Sequence, residues 1–165
     1  MNKYIFLTLA LLVFTTYVGS KEVVGWVEYV VIYDDDEKIT VKAKIDTGAK
    51  TTSIHSREFH QFKKNGENWV KFKIINRQGD VMELEKPVVR LAKIKRHFDK
   101  KQIRPVIRLG LCVGNRYQIT GVNLVDRSGL NYQLLVGREF LKNGTLVDSS
   151  ITYTKDPDCG KLGVE

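Results

Sequence analysis

An all-β fold, closed or sandwiched, is predicted for this chain by three observations. Beyond residue 20 most of the sequence falls into short runs rich in Val, Ile, Tyr, Phe and Thr. Several runs alternate apolar with polar residues, the period of a strand with one face in a core. Gly, Asn and Asp punctuate the runs at intervals too short for long helices.

The elements follow in order. Residues 22–33 (EVVGWVEYVVIY) form a β-type run that Asp34, Asp35, Asp36 and Glu37 break. Residues 39–45 (ITVKAKI) alternate cleanly, so the two runs are predicted to pair as a hairpin that delivers Asp46 at a strand end. A short β run covers 51–54. Ser56 is then placed to cap a brief helix reaching Lys63, which Asn65-Gly66 closes. In 69–74 (WVKFKI), Val70, Phe72 and Ile74 share one face and lysines lie between them. Further strands are predicted at 81–84, 88–94, 103–113 and 117–125, with Gly114-Asn115 as the turn between the last two. Residues 133–141 (QLLVGREFL) run from a buried strand into a helical turn. Lys142, Asn143 and Gly144 stop it, and 145–147 return to the sheet. No internal repeat, low-complexity tract or linker is visible.

The first 20 residues stand apart. A positive start at Lys3, an apolar stretch from Tyr4 to Phe14 and small residues at Val18, Gly19 and Ser20 have the layout of a secretory signal peptide. The apolar stretch is shorter than the roughly 20 residues a bilayer span needs. Export across the inner membrane with cleavage near Ser20 is therefore expected, leaving a periplasmic protein with no stable membrane span after cleavage. Residues 21–165 have the length of one domain. The chain carries 27 Lys and Arg against 19 Asp and Glu, a net charge of +8. Such a balance attracts anionic lipid, acidic peptides or wall polymers, or simply keeps a face solvated. Export argues against nucleic acid as the partner.

Two cysteines, Cys112 and Cys159, lie beyond the leader. In an oxidising compartment they can pair, closing a long loop worth about 4 kcal/mol on the loop-entropy model. Cys112 also sits in an apolar run, so a buried free thiol competes with that reading. Geometry decides between them.

The chemistry concentrates in two segments. The first is residues 44–53, KIDTGAKTTS, where Asp46-Thr47-Gly48-Ala49 follows the alternating strand. Alone, Asp-Thr-Gly is as good a turn as a motif. It is answered far along the chain by Leu134-Leu135-Val136-Gly137-Arg138 and then Glu139-Phe140-Leu141. An apolar triplet ending in Gly-Arg after such a loop resembles the retropepsins, single-domain aspartic proteases of the retroviral type. The likeness widens with Val24-Gly25-Trp26-Val27-Glu28, Asn68-Trp69-Val70-Lys71-Phe72, Arg104-Pro105-Val106-Ile107, Val125-Asp126-Arg127 and Thr145-Leu146-Val147-Asp148. Over nearly the whole chain after the leader, the sequence is similar to the bacterial and archaeal retropepsin-like family that carries the label ATP-dependent zinc protease.

The resemblance implies a small closed β-barrel with one or two short helices, and an aspartic-type peptidase, a hydrolase acting as a homodimer on a peptide or protein substrate. Asp46 would be the catalytic residue. The chain holds one Asp-Thr-Gly, and neither Asp126-Arg127-Ser128-Gly129 nor Asp148-Ser149-Ser150 matches it. The second carboxylate must then come from a two-fold-related copy. By the same likeness Thr47 would hold the paired loops through its hydroxyl, Gly48 would admit the substrate backbone, and Ala49, Gly137 and Arg138 would support the loop. Two departures stand out. Lys50 occupies the position where retroviral enzymes carry an acid to pair with the arginine, so Arg138 lacks that partner and Glu139 is expected to pair with Lys50 instead. No glycine-rich flap is recognisable; the basic stretch 93–104 (KIKRHFDKKQIR) is read either as the cover or as a solvated loop.

No cofactor is expected, despite the family label. His55 and His60 are five residues apart, His97 is remote, and no His-Glu-x-x-His occurs, so the metal prediction is none. No phosphate loop of the Walker type is present for ATP. Ser53, Ser56 and Cys112 show no focused nucleophile pattern. The competing reading, from another functional class, is a catalytically inactive periplasmic peptide-binding or assembly module that keeps the protease fold.

Overall fold

The computed structural model describes residues 21–95 and 101–160. The leader (1–20), His97 and the middle of the 93–104 stretch lie outside the described residues. Twelve strands and one short helix make up the described chain. The first long run is two strands, β1 (Glu22–Gly25) and β2 (Val27–Asp34), separated by a bend at Trp26. β3 (Glu37–Ile45) folds back on β2 in the expected hairpin, with Asp34 opposite Glu37 and Asp35 in the left-handed region at φ 49°. An aspartate tolerates that conformation better than most residues.

The remaining strands are β4 (Thr52–His55), β5 (Phe59–Lys64), β6 (Glu67–Ile75), β7 (Val81–Pro87), β8 (Arg90–Lys95), β9 (Lys101–Val113), β10 (Arg116–Val125), β11 (Leu134–Val136) and β12 (Thr145–Asp148). α1 (Arg138–Leu141) is the single helical turn. The order β10-β4-β11-β3-β2-β9 closes on itself because β9 also pairs with β10. Six strands thus form a barrel with no open edge, which removes the liability of unpaired backbone. β8 extends from the far end of β9 as a hairpin arm.

One expectation fails. The segment after Ser56 is not helical: β5 pairs antiparallel with β6 from Phe59↔Phe72 to Lys64↔Glu67. Asn65 and Gly66 both have positive φ, 51° and 83°. That conformation suits the two-residue hairpin turn whose twist matches the strands. A turn read as a helix stop is therefore a strand reversal, and pairing with β6 overrides the local helix tendency.

β5, β6 and β7 form a separate sheet whose inner residues Val70, Phe72, Ile74, Met82 and Leu84 are buried in the same core as the barrel's Val30, Val41, Ile54, Leu109 and Leu124. β1 and β12 pair in parallel, bringing the first and last strands together. The tail beyond β12 runs back along the barrel. Trp26 N–H donates to Ile151 O and Tyr153 N–H to Val27 O. A Cβ at Gly25 would stand 2.4 Å from Ile151 O, so only glycine lets the tail pass this close. Buried Glu28 accepts bonds from Gly25 N (2.6 Å), Thr154 N (3.0 Å) and Thr154 Oγ1 (2.6 Å). Cys112 and Cys159 are joined in a disulfide with Cα atoms 6.0 Å apart. Among the described residues no helix is long and apolar enough to cross a membrane.

Candidate active site

β3 alternates inward Val41, Ala43 and Ile45 with outward Lys42 and Lys44, and this register carries the chain into the Asp46 loop at the barrel wall. The Asp46 N–H donates to Val136 O at 2.9 Å, tying the loop to the end of β11. Its carboxylate turns back on the loop: Oδ1 accepts the Gly48 N–H at 2.9 Å. The other oxygen, Oδ2, lies 4.0 Å from Lys44 Nζ. The side chain is 24% exposed, so one oxygen is pre-positioned by the backbone and the carboxylate still meets solvent.

β11 and α1 brace this loop from behind. Arg138 N–H donates to Ala49 O (2.9 Å) and Glu139 N–H to Lys50 O (3.0 Å). Gly137 N–H donates to the buried Thr52 Oγ1 at 3.1 Å. A Cβ at Gly137 would come within 2.8 Å of the Thr51 carbonyl carbon and 3.0 Å of Ala49 O. Glycine is required here because two backbones touch, not because of an unusual φ.

Among the described residues the Arg138 guanidinium takes backbone carbonyls, not a carboxylate, as its partners. Its Nη1 donates to Thr47 O at 2.9 Å and Gly48 O at 2.7 Å. The expected Lys50–Glu139 pair does not form: Glu139 Oε2 lies 3.7 Å from Arg90 Nη2, and Arg90 also donates to Thr51 Oγ1. β8 brings Arg90 to this side of the loop, a placement invisible along the sequence. Thr47 is exposed and its carbonyl is what Arg138 grips.

A cavity of about 600 Å³ adjoins the loop, between Ala49, Lys50 and Thr51 on one side and the β8–β9 arm on the other. Lys93, Ile94 and Arg104, from the stretch read as a cover or a loop, line it. Residues 96–100 of that stretch are outside the described residues. The sheet side of the cavity presents Ser53, Leu135, Asn123 and Arg127. Among the described residues that line it, five are Lys or Arg and none is Asp or Glu.

Sequence reasoning missed the polar side chains that organise this floor. Arg127 donates to Ser53 Oγ (3.2 Å) and Tyr132 O (3.0 Å). Burial pushes its guanidinium below the ordinary arginine range, and the Asp46 carboxylate opposes that shift. Buried Asn123 accepts from Arg104 (3.2 Å) and donates to Thr52 O (2.8 Å). The hairpin arm is thereby wired through Asn123 and Thr52 to Gly137 beneath the Asp46 loop. Arg127 sits in the Val125-Asp126-Arg127 segment already noted for family likeness, but nothing local marks it as facing Asp46.

The two described histidines, His55 and His60, have separate partners. His55 Nδ1 accepts the Arg127 N–H at 2.9 Å, so that nitrogen carries no proton, and Asp126 Oδ1 lies 3.7 Å from it. His60 stacks on Phe62 with ring centroids 6.2 Å apart. Among the described residues, no three of His, Cys, Asp and Glu gather into a cluster that could hold a metal ion.

Comparison with known proteins agrees with this architecture. The family described as "RimB-like: Retropepsin-like aspartic endopeptidase RimB" matches residues 23–158. A protein of Shewanella pealeana named "Probable alpha-L-glutamate ligase" is 34% identical over 116 residues, covering 68% of this chain and 25% of its own length. A protein of the same name from Desulfotalea psychrophila is 30% identical over 115 residues, covering 67% and 25%. The chain thus spans about a quarter of these curated relatives. A crystal structure of a Legionella pneumophila protein of unknown function superposes with a TM-score of 0.70 at 30% identity, over 83% of this chain and 100% of that one. The barrel, the braced Asp46 loop and the extent of these matches lead to one assignment: the chain belongs to the RimB-like family of retropepsin-like aspartic endopeptidases.

Proposed function

We propose that this protein is an exported aspartic endopeptidase in which two Asp46 carboxylates, one from each protomer of a homodimer, activate a water for peptide hydrolysis. The observation that carries the reading is the Asp46 carboxylate itself. It is held by the Gly48 N–H, partly exposed, and mounted on a loop that Gly137 and Arg138 lock from behind. One such carboxylate per chain needs a symmetry-related partner. Two carboxylates sharing a site hold one proton between them. The ionised member takes a proton from water as oxygen attacks the scissile carbonyl, and the neutral member donates to the carbonyl oxygen. Collapse of the tetrahedral species releases the amine with a proton returned from the dyad, which titrates as a unit.

The substrate is an extended polypeptide rich in acidic residues. The support is the cationic lining of the cavity beside the loop, where five described residues are Lys or Arg and Glu139 pairs with one of them, Arg90. The relatives' name, a ligase for glutamate, belongs to the same acidic chemistry. Export is supported by the leader-like residues 1–20 and is compatible with the disulfide, since such bonds persist in oxidising compartments.

The experiment compares peptide cleavage by residues 21–165, wild type and Asp46→Asn, between acidic and neutral pH, alongside sedimentation to measure mass. Cleavage lost by at least a hundredfold in the variant, with a dimer in the active sample, supports the reading. Equal cleavage by both proteins removes Asp46 from the mechanism. A second reading, a non-catalytic module that binds acidic peptides, is favoured by the relatives, in which the matched segment is a quarter of a longer ligase-named chain. It requires peptide binding by a monomer and no cleavage by either protein.

A further inference from the structure

The larger cavity, about 980 Å³, does not lie over the Asp46 loop but farther along β4. Ser53 and Leu135 are paired in register and line the smaller cavity. One alternation on, His55 and Gln133 line the larger one, where His55 N–H donates to Gln133 O at 2.7 Å. Residues two apart on a strand share a face, so both cavities open on the same face of β4, about 7 Å of strand apart. Arg127 marks the boundary: its backbone N–H holds His55 and its guanidinium holds Ser53.

The lining is amphipathic. Phe72 is buried, Phe59 half-buried, and both belong to or pack on the core. Above them Arg57 and Lys71 are exposed, against one lining carboxylate, Glu58, and neither cation lies within 4 Å of a carboxylate among the described residues. Because His55 Nδ1 is occupied as an acceptor, the neutral ring carries its proton on Nε2 and offers a donor. An apolar base with a few convergent donors is the usual composition of a ligand pocket.

We propose that this cavity is a second binding site for the polypeptide substrate, displaced along β4 from the Asp46 loop. It takes an aromatic or large aliphatic side chain against Phe59 and Phe72 while an adjacent carboxylate meets Arg57 and Lys71. The identity of the occupant as a substrate segment rests on the peptidase reading; the binding chemistry does not. A chain laid in extended form along β4 and β11 reaches this cavity a few residues beyond the smaller one.

The test is a nuclear magnetic resonance titration of Asp46→Asn protein with the dipeptide N-acetyl-phenylalanyl-aspartate amide. Saturable shifts at the amides of His55, Phe59, Lys71 and Gln133 are expected. Binding should weaken at least tenfold in an Arg57→Ala, Lys71→Ala background, and equally when the aspartate of the probe is replaced by alanine. Both substituted side chains are exposed, and unchanged shift dispersion confirms the fold. Absence of shifts, shifts confined to residues 49–51, or full binding by the double variant overturns the proposal. Catalysis plays no part in this readout. Binding here without cleavage by wild type would sink the peptidase reading and leave this site standing.

Discussion

Arg138 reaches across 90 residues of sequence to hold Gly48: its Nη1 donates to the Gly48 carbonyl at 2.7 Å and to the Thr47 carbonyl at 2.9 Å. A guanidinium that lacks the expected acid has found two carbonyls of the loop it would otherwise brace through a side chain. Replacing Arg138 with Ala frees both carbonyls at an exposed site, where water compensates much of the loss. A cost of about 1 kcal/mol in stability is expected. Peptide cleavage should fall far more, at least tenfold, because the carboxylate depends on this loop's geometry. Equal losses in stability and activity would contradict that role.

Gly137→Ala tests the close approach of the two loops. The new Cβ would meet the Thr51 carbonyl carbon and two backbone oxygens, those of Ala49 and Lys50, at 2.8 to 3.0 Å. Backbone cannot rotate away as a side chain can. Destabilisation of roughly 2 kcal/mol is expected, seen as a lower Tm by several degrees. An unchanged Tm would mean the loops separate easily.

Glu28 is buried and serves two backbone donors and one hydroxyl from β1's end and the C-terminal tail. Glu28→Ala strands the Gly25 and Thr154 N–H groups. A loss of about 3 kcal/mol in denaturant unfolding is expected, with Glu28→Gln recovering part of it because one acceptor survives. Recovery to wild type by alanine would show that the tail contributes nothing to stability.

Removing the Cys112–Cys159 bond by a double serine substitution should cost about 4 kcal/mol on the loop-entropy model. Wild-type protein in strong reductant should approach the same midpoint in urea. A midpoint insensitive to reductant would show that the unfolded chain gains little freedom when the bond opens.

Asp148 accepts the side-chain hydroxyl and backbone N–H of Ser150, which hold its carboxyl below the usual value of 3.8. A carboxylate depressed in the folded state stabilises above its unfolded pKa, and that contribution disappears as pH falls through the folded pKa. The Tm gap between wild type and Asp148→Ala should therefore be present at pH near 6 and shrink on acidification below 3.8. A gap that widened in acid would reverse the sign of the linkage.

Much of this protein was decided by local pattern. The alternation in 39–45 made β3 and set Asp46 at its end, because a period of two leaves one face for the core and carries the chain straight to the loop. Gly114 at φ 56° turns β9 into β10 as its position between two β runs required. The residues 56–64 went the other way: a capping serine argued for helix, and pairing with β6 decided for strand. Tertiary structure alone decided what surrounds the Asp46 loop. Arg127 comes from 81 positions downstream, Arg138 settles on carbonyls, and Glu139 turns to Arg90 rather than Lys50. These partners are set by barrel closure, which brings β4, β10 and β11 side by side. Hydrophobic periodicity records only which way a side chain faces, whereas strand order determines what it faces, and that information is distributed over the whole chain.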